Sequence, residues 1–492
     1  MQRLIEKLEY GISPRETLSS VADLLGGMLP IEQEEYRIPL MNFVPGYFQN
    51  SDAKVRKNAA KVMGFVNDSL VPSILIRAFE KETVLFVRPQ YLKSLKKFPL
   101  DEPIVDILQE RRKFILSEQI PDDERKHYNE ELQAIEDCLC DNFVGKHTFT
   151  GWNQQNELVM VCEKAYIEMT AAQIDEQKKK LLPTGVYFVT NRLDAYKDLR
   201  TYRELLFFLP NLKAVDNDPY AAAKQLIDAG FINYLQKRHS GNGAFQYRLE
   251  IRGVDDKKKA ILVKRLSGEI LRLSEHQLIL SKDHYEIELR FVLKEDGSYR
   301  FFFKLFTLED KRFSYRKEAV AASIKPVTAA AFLKKYENYL VKDAQVLDPF
   351  CGVGTMIFER NILSPVRFAF GIDTFGEAID KARKNGNESE YPIYFIHRDF
   401  FDFHHDSLFD EVVTDMPFTM KTEDAEENAK IESIYSRFFV KVREHLVTGA
   451  YILMLSRNPE LVRKYCGGGF RIEESLLIQE KSGLNGFVIK KL

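Results

Sequence analysis

Two short segments of this 492-residue chain carry residue types suited to chemistry: Asp348-Pro-Phe-Cys-Gly-Val-Gly-Thr355 and Asp415-Met-Pro-Phe418. The first follows the apolar run Ala344 to Leu347 and opens the helix-like stretch Thr355 to Asn361. A strand that ends in a carboxylate, turns on Gly352 and Gly354 and enters a helix shapes a nucleotide pocket. Glycine there permits left-handed backbone and close approach of a ligand. Gly-x-Gly alone is weak evidence, but here it heads a series of four carboxylate-bearing strand ends. Arg367 to Ile372 reads as a buried strand running into Asp373, 25 residues after Asp348. Tyr394 to Ile396 leads to Asp399 and Phe400, with Asp399 26 residues beyond Asp373, and Phe409 to Val413 closes on Asp415. Helical spacing at Ala378, Ile379 and Ala382 separates the second strand from the third. This alternation predicts a parallel sheet with right-handed crossovers, whose ligands lie across the carboxyl ends of the strands.

The Asp-Met-Pro-Phe tetrad resembles the (Asn/Asp/Ser)-x-Pro-aromatic motif of methyltransferases that modify amino groups of nucleic-acid bases, and the chemistry this resemblance implies has a physical logic. The lone pair of an exocyclic amine on a nucleic-acid base is delocalised into the ring, so the nitrogen is a poor nucleophile. The Asp415 carboxylate and the Met416 carbonyl are suited to accept its two N–H bonds and draw it toward sp³ geometry. Pro417 fixes the local backbone, and Phe418 offers a flat face on which an extruded base stacks, worth about 1–3 kcal/mol. Each residue alone has a duller reading. An Asp at a strand end usually caps a turn, Phe400 would be core, and the tetrad would be a loop with a proline stop. Joint order and spacing favour the chemical reading. A dinucleotide-binding pattern is disfavoured because its third glycine position is Ile357. No metal is expected, and His404-His405 is expected in a solvated loop.

Together the two motifs resemble those of S-adenosylmethionine-dependent Rossmann-fold methyltransferases that modify amino groups of nucleic-acid bases. The resemblance implies a cofactor site of Asp348, Phe350, Gly352, Gly354, Thr355, Asp373, Asp399 and Phe400. In it Asp348 and the two glycines hold the methionine portion, Asp373 the ribose, Asp399 the adenine amine, and Phe400 the adenine face. It also implies catalysis by Asp415, Met416, Pro417 and Phe418. Relatives place glycine after the aromatic residue of the tetrad; here it is Thr419, which puts turnover in more doubt than cofactor binding. Upstream, Ser323-Ile-Lys-Pro326 and its small-residue helix resemble the segment that leads into such domains, and equally suit an interdomain linker. Tyr451 to Leu455, Phe470 to Glu480 and Gly483 to Leu492 are expected as the last three strands, the final one antiparallel.

In the middle of the chain, Phe245 to Ile251 alternates as a strand does, and Lys258 to Leu273 has helical spacing at Ile261, Leu262, Leu266, Ile270 and Leu273. Tyr285 to Val292 and Tyr299 to Leu305 flank the turn signal Glu295-Asp-Gly-Ser298. Strand, helix and hairpin in this order resemble a THUMP domain, an RNA-binding module. Residues 146 to 216, with the Gly185 to Val189 strand and Arg200 to Arg203, would be its accessory α/β subdomain. Between Lys237 and Arg272 ten Lys/Arg face four acids, a balance of 10 − 4 = +6 in a chain whose net charge is −2. Candidate RNA contacts are Lys237, Arg238, Arg248, Arg252, Lys257, Lys258, Lys264 and Arg265, and affinity carried by such contacts falls with salt. A solvated helix face explains the same run.

The first 145 residues read as helical. Ser51-Asp52 is placed to cap a helix with an apolar stripe at Val55, Ala59, Val62, Met63 and Val66. A second Val-Arg pair, Val87-Arg88, follows Val55-Arg56 by 32 residues and leads into Tyr91, Leu92 and Leu95, with Leu70 to Phe79 between them. This resembles a short HEAT-like repeat; a plain helical domain is the other reading. Helical patterns continue over Ile104 to Ile115 and Glu130 to Cys140.

Length and composition fit a multidomain protein: an all-α HEAT-like domain (1–145), an α/β THUMP-like region (146–316) and an α/β Rossmann-fold methyltransferase domain (317–492). No apolar run approaches the ~18 residues of a membrane span, and the first residues lack a signal-like core. Five dispersed cysteines suit a reducing cytoplasm. Cys351 is expected to lend only backbone to the cofactor loop. The expected activity is S-adenosylmethionine-dependent methylation of a guanine exocyclic amine in RNA, tRNA foremost and ribosomal RNA next. A protein partner through the helical region is also open. The rivals are an RNA-binding protein with a decayed methyltransferase domain, and methylation of a DNA base amine or a protein glutamine.

Overall fold

Asp52 starts a helix by accepting the Lys54 N–H at 2.8 Å, and the helix Ala53–Met63 buries Val55, Ala59, Val62 and Met63. Val66 is also buried but lies past the helix end. The chain is represented by a computed structural model that describes residues 1–117, 120–121, 123–142, 147–386, 391–418 and 425–492. It divides into two compact units, Met1–Lys146 and His147–Leu492.

The first unit is helical throughout its described residues. Helices Val71–Lys81 and Arg88–Leu95 follow Ala53–Met63, and then come Glu102–Ser117 and Arg125–Asn142. Gly64 is needed because a Cβ there would lie 2.8 Å from Ser94 Oγ, so two helices meet closely at that point. The two Val-Arg pairs do related work. Arg56 grips the Glu82 carboxylate at 2.7 and 2.8 Å. Arg88 binds the Glu82 carbonyl at 2.5 Å and the Glu131 carboxylate at 2.8 Å. Among the described residues no helix is long and apolar enough to cross a membrane.

The second unit holds two large sheets. In the nine-stranded middle sheet, Phe245–Arg252 pairs in parallel with Ile287–Leu293 across the helix Asp256–Leu273. Ile287–Leu293 then turns back into the antiparallel strand Tyr299–Leu305. The helix buries Leu266 and Ile270, whereas Ile261, expected on its inner face, is 59% exposed. Asn156–Val161, Gly185–Thr190 and Glu204–Phe208 extend the sheet through Phe207 opposite Phe303.

The C-terminal sheet has seven strands: β1 (Gln345–Asp348), β2 (Phe368–Asp373), β3 (Ile393–His397), β4 (Phe409–Asp415), β5 (Leu446–Ser456), β6 (Phe470–Gln479) and β7 (Leu484–Lys491). Their spatial order is β3-β2-β1-β4-β5-β7-β6. β1 to β5 run parallel, and β7 is antiparallel to both of its neighbours. Helices α1 (Thr355–Leu363), α2 (Gly376–Gly386), α3 (Ala425–His445) and α4 (Pro459–Tyr465) join the strands. Apolar clusters lie on both faces, one around Phe332, Ile357 and Ile379 and one around Phe400, Phe438 and Ile452. Parallel strands covered on both faces read as continuous apolar runs. The insertion of β7 between β5 and β6 left no mark in the sequence, because it depends on partner choice and not on strand propensity.

Candidate active site

The four acidic strand ends fall along one edge of the C-terminal sheet. After Asp348 the backbone turns through Gly352 (φ +53°) and Gly354 (φ +83°) into α1. The two glycines are required for different reasons. A Cβ on Gly352 would point into open space, so its left-handed turn and not packing calls for glycine there. On Gly354 it would lie 2.7 Å from Phe395 Cζ and 2.9 Å from Phe358, so core packing excludes a side chain there. Asp373, ending β2, accepts the Gly352 N–H and the Phe375 N–H, each at 2.8 Å, and so steadies the glycine turn. Asp399, two residues past β3, accepts the Phe401 N–H at 2.9 Å. Asn385 of α2 straps this region together: it accepts from Glu318 N at 2.9 Å and donates to the Val353 carbonyl at 3.4 Å.

Asp348 is 1% exposed, and its Oδ1 accepts the Phe350 N–H at 3.2 Å. Burial, with the nearby Asp373 and Asp415 charges, pushes its carboxyl up to about 8, although the Thr414 hydroxyl opposes the shift. Among the described residues Asp348 Oδ2, Thr355 Oγ1 and Thr414 Oγ1 have no hydrogen-bond partner of ordinary geometry. Buried acceptors left unpaired are costly unless a ligand satisfies them. A cationic, amino-bearing ligand beside an open glycine turn meets that need, and S-adenosylmethionine has this chemistry. Burial near the same acids holds the Cys351 thiol far above its usual range, so it stays protonated.

Asp415 ends β4, and the Met416 N–H donates to the Leu455 carbonyl at 2.9 Å, pinning the tetrad to β5. Burial pushes the Asp415 carboxyl up to about 6 while the Arg457 guanidinium, 3.5 Å away, pulls it down. The same guanidinium lies over the Phe418 ring, 4.0 Å from its centroid. Tyr435 of α3 donates to the Pro417 carbonyl at 3.3 Å and shares a 2.7 Å bond with Ser456. Thr419 lies outside the described residues.

Phe400 needs correction. It is 1% exposed, with Phe350 and Phe438 packed about it at 6.1 and 6.2 Å, so it is core and not an open ligand face. Arg457, Tyr435 and Asn385 were missed because none carries a local motif. Each acts from an element distant in sequence, and no local signal marked any of them.

The basic set of the middle sheet is mixed. Arg238 is buried, bonded to Asn156 at 2.9 Å and to the Gln155 carbonyl at 2.6 Å, and stacked over Tyr234. It is therefore a structural residue, not a phosphate contact. Arg248 is paired with Glu288 at 2.6 Å and Arg252 with Glu250 at 3.3 Å, while Lys258 lies 3.6 Å from the capping Asp255. Lys237, Lys257, Lys264 and Arg265 are exposed.

Residues 314–479 match the family model described as UPF0020, RMKL-like, methyltransferase domain. No curated protein matches the chain in sequence. Among solved structures, TrmN from Thermus thermophilus superposes with a TM-score of 0.52 at 17% identity, over 68% of this chain and 100% of its own. A predicted N6-adenine-specific DNA methylase from Listeria monocytogenes gives 0.51 at 14% identity, over 68% and 96%. SMU.472, complexed with SAH, gives 0.52 at 13% identity, over 68% and 97%. At these identities the likeness is one of fold, and it extends well beyond the C-terminal sheet. Over residues 314–479 the chain is similar to a methyltransferase domain in sequence, and its fold is similar to that of these solved structures.

Proposed function

We propose that the protein is an S-adenosylmethionine-dependent RNA methyltransferase acting on a guanine exocyclic amine, foremost in tRNA. One observation carries the reading: Asp415 and Phe418 stand on the same rim as the unpaired acceptor of Asp348. Asp348, Gly352, Thr355, Asp373 and Asp399 would hold the cofactor, which supplies an electrophilic methyl group. Asp415, ionised above about pH 6, accepts one N–H of the target amine. With Tyr435 engaging the Pro417 carbonyl, the Met416 carbonyl is the second acceptor. Holding the nitrogen in line with the methyl supplies the remaining acceleration. Asp415 would take the proton that the nitrogen loses as its N–C bond forms and the methyl–sulfur bond breaks, the sulfur leaving as a neutral thioether, and would pass that proton to solvent.

The SAH complex of a fold neighbour supports the cofactor assignment, and another neighbour, a predicted N6-adenine-specific DNA methylase, supports a base amine as target. RNA is preferred on the THUMP-like order of elements and the exposed Lys257, Lys264 and Arg265. Three functional parts, 1–145, 146–316 and 317–492, with a HEAT-like first part and a cytoplasmic setting, complete the proposal. The test is transfer of labelled methyl from S-adenosylmethionine to bulk tRNA and ribosomal RNA, with mass spectrometry of the nucleosides. N2-methylguanosine is expected. Binding of S-adenosylmethionine without transfer to any RNA, DNA or protein would leave the decayed-enzyme rival standing.

A further inference from the structure

Arg457 follows β5 directly and is neither a strand partner nor a cap. Its guanidinium meets two groups at once, the Asp415 carboxylate at 3.5 Å and the Phe418 ring at 4.0 Å. Its side chain is 18% exposed, so it lies within the rim and not out in solvent. These two contacts are the ones a target base needs in the tetrad: a flat surface on Phe418 and an N–H donated to Asp415. A guanidinium is planar, carries N–H donors along its edge and stacks on aromatic faces. We propose that Arg457 is a positioning residue that stands in for the target base, filling the Phe418–Asp415 slot until the base displaces it.

The inference rests on the methyl-transfer reading above and adds a resident occupant to it. Two consequences follow. An incoming base must compete with Arg457 for Phe418, so the side chain raises the KM for RNA. Meanwhile the guanidinium is the cation facing Asp415. Among the described residues the other titratable groups around that carboxylate are Asp348 on β1, itself pushed up to about 8 and so protonated below that pH, and Tyr435 on α3, whose own surroundings include Glu460 on α4. None of these replaces the positive charge. Arg457 opposes protonation of Asp415, so removing the charge moves the acidic limb of the activity profile to higher pH.

The test compares wild type, Arg457→Lys and Arg457→Met, with tRNA as substrate, S-adenosylmethionine binding followed by calorimetry, and KM and kcat measured from pH 5 to 8. Both variants are expected to lower KM by about three- to tenfold, the size of a lost cation–π contact. Only Arg457→Met is expected to shift the acidic limb upward, since lysine retains the charge but not the plane. A KM unchanged or raised in both variants, with wild type active, overturns the stand-in role and leaves the enzymatic reading intact. A wild type that is silent while Arg457→Met transfers methyl supports the stand-in in its strongest form. Cofactor binding without transfer by any of the three overturns the enzymatic reading and this inference together.

Discussion

The two ends of the C-terminal sheet treat buried charge in opposite ways, and β4 carries both within five residues of Glu411 to Asp415. At the amino end Glu411 and Arg360 are each 0% exposed and bonded to one another. Glu411 also accepts the Val341 N–H at 2.8 Å, and Arg360 donates to the Val341 carbonyl at 2.7 Å and to that of Ser364. Every charge there has its complement within the protein. At the carboxyl end Asp348 keeps an unpaired oxygen, and Asp415 has one long contact with Arg457. Asp348 is about as buried as the Glu411–Arg360 pair, so for that carboxyl the difference lies in satisfaction. The matched end is architecture. On the proposed function the unmatched end awaits a ligand, whose binding would offset the cost of the unpaired groups.

The strongest way to break this comparison is at the matched end. Arg360→Met leaves Glu411 buried without its partner and should cost about 3–5 kcal/mol of unfolding free energy. Denaturant titration reads it, and the loss should be the same with or without S-adenosylmethionine. A variant as stable as wild type would show that the pair is ornamental. At the other end, Asp415→Ala should lower methyl transfer about 10²–10³-fold, as loss of one preorganised polar group at a reacting centre does. Cofactor affinity should stay within a few-fold. Equal loss of transfer and cofactor binding would show that Asp415 belongs to the cofactor cradle.

The contrast also separates what the sequence disclosed from what it hid. The carboxylate-tipped strands were legible because a parallel strand covered on both faces is a short apolar run, and its end is marked by a polar residue and a glycine turn. Asp348, Asp373 and Asp415 could thus be placed from one chain. Arg360 could not be read as the partner of Glu411, since 51 residues separate them and both look like ordinary surface charges. The same blindness put Arg238 among the RNA contacts and hid Arg457. In each case a charged side chain takes its role from an element brought beside it by topology, on which local periodicity is silent. Phe400 erred the other way: its motif position suggested a ligand face, but neighbouring aromatics of α3 claim the ring.

Asp348 sharpens the comparison through pH. Its carboxyl titrates near 8 when folded and near 3.8 when exposed, so the folded state holds a proton that the unfolded chain has released. A raised carboxyl stabilises the fold below the exposed value, and that contribution is lost as pH climbs toward 8. Without cofactor, wild type should therefore lose stability from about pH 4 to 8. Asp348→Asn should flatten that slope, raise Tm at pH 8, and abolish the rise in Tm that S-adenosylmethionine gives wild type. A variant that keeps both the slope and the ligand response would remove Asp348 from the site.

The smallest effects belong to the exposed bases of the middle sheet, where the matched–unmatched distinction applies again. Lys264 and Arg265 face solvent, whereas Arg238 is satisfied internally like Arg360. If the first two touch phosphate, Lys264→Ala and Arg265→Ala should each reduce the slope of log affinity against log salt by about one, with affinity falling only a few-fold. Arg238→Ala should instead lower thermal stability and leave the salt slope of the folded fraction unchanged, because its guanidinium bonds to Asn156 and a backbone carbonyl. Fluorescence anisotropy with labelled tRNA at several salt concentrations reads both. A salt slope that ignores Lys264 and Arg265 would return that helix to the class of solvated surfaces and move the RNA path elsewhere on the protein.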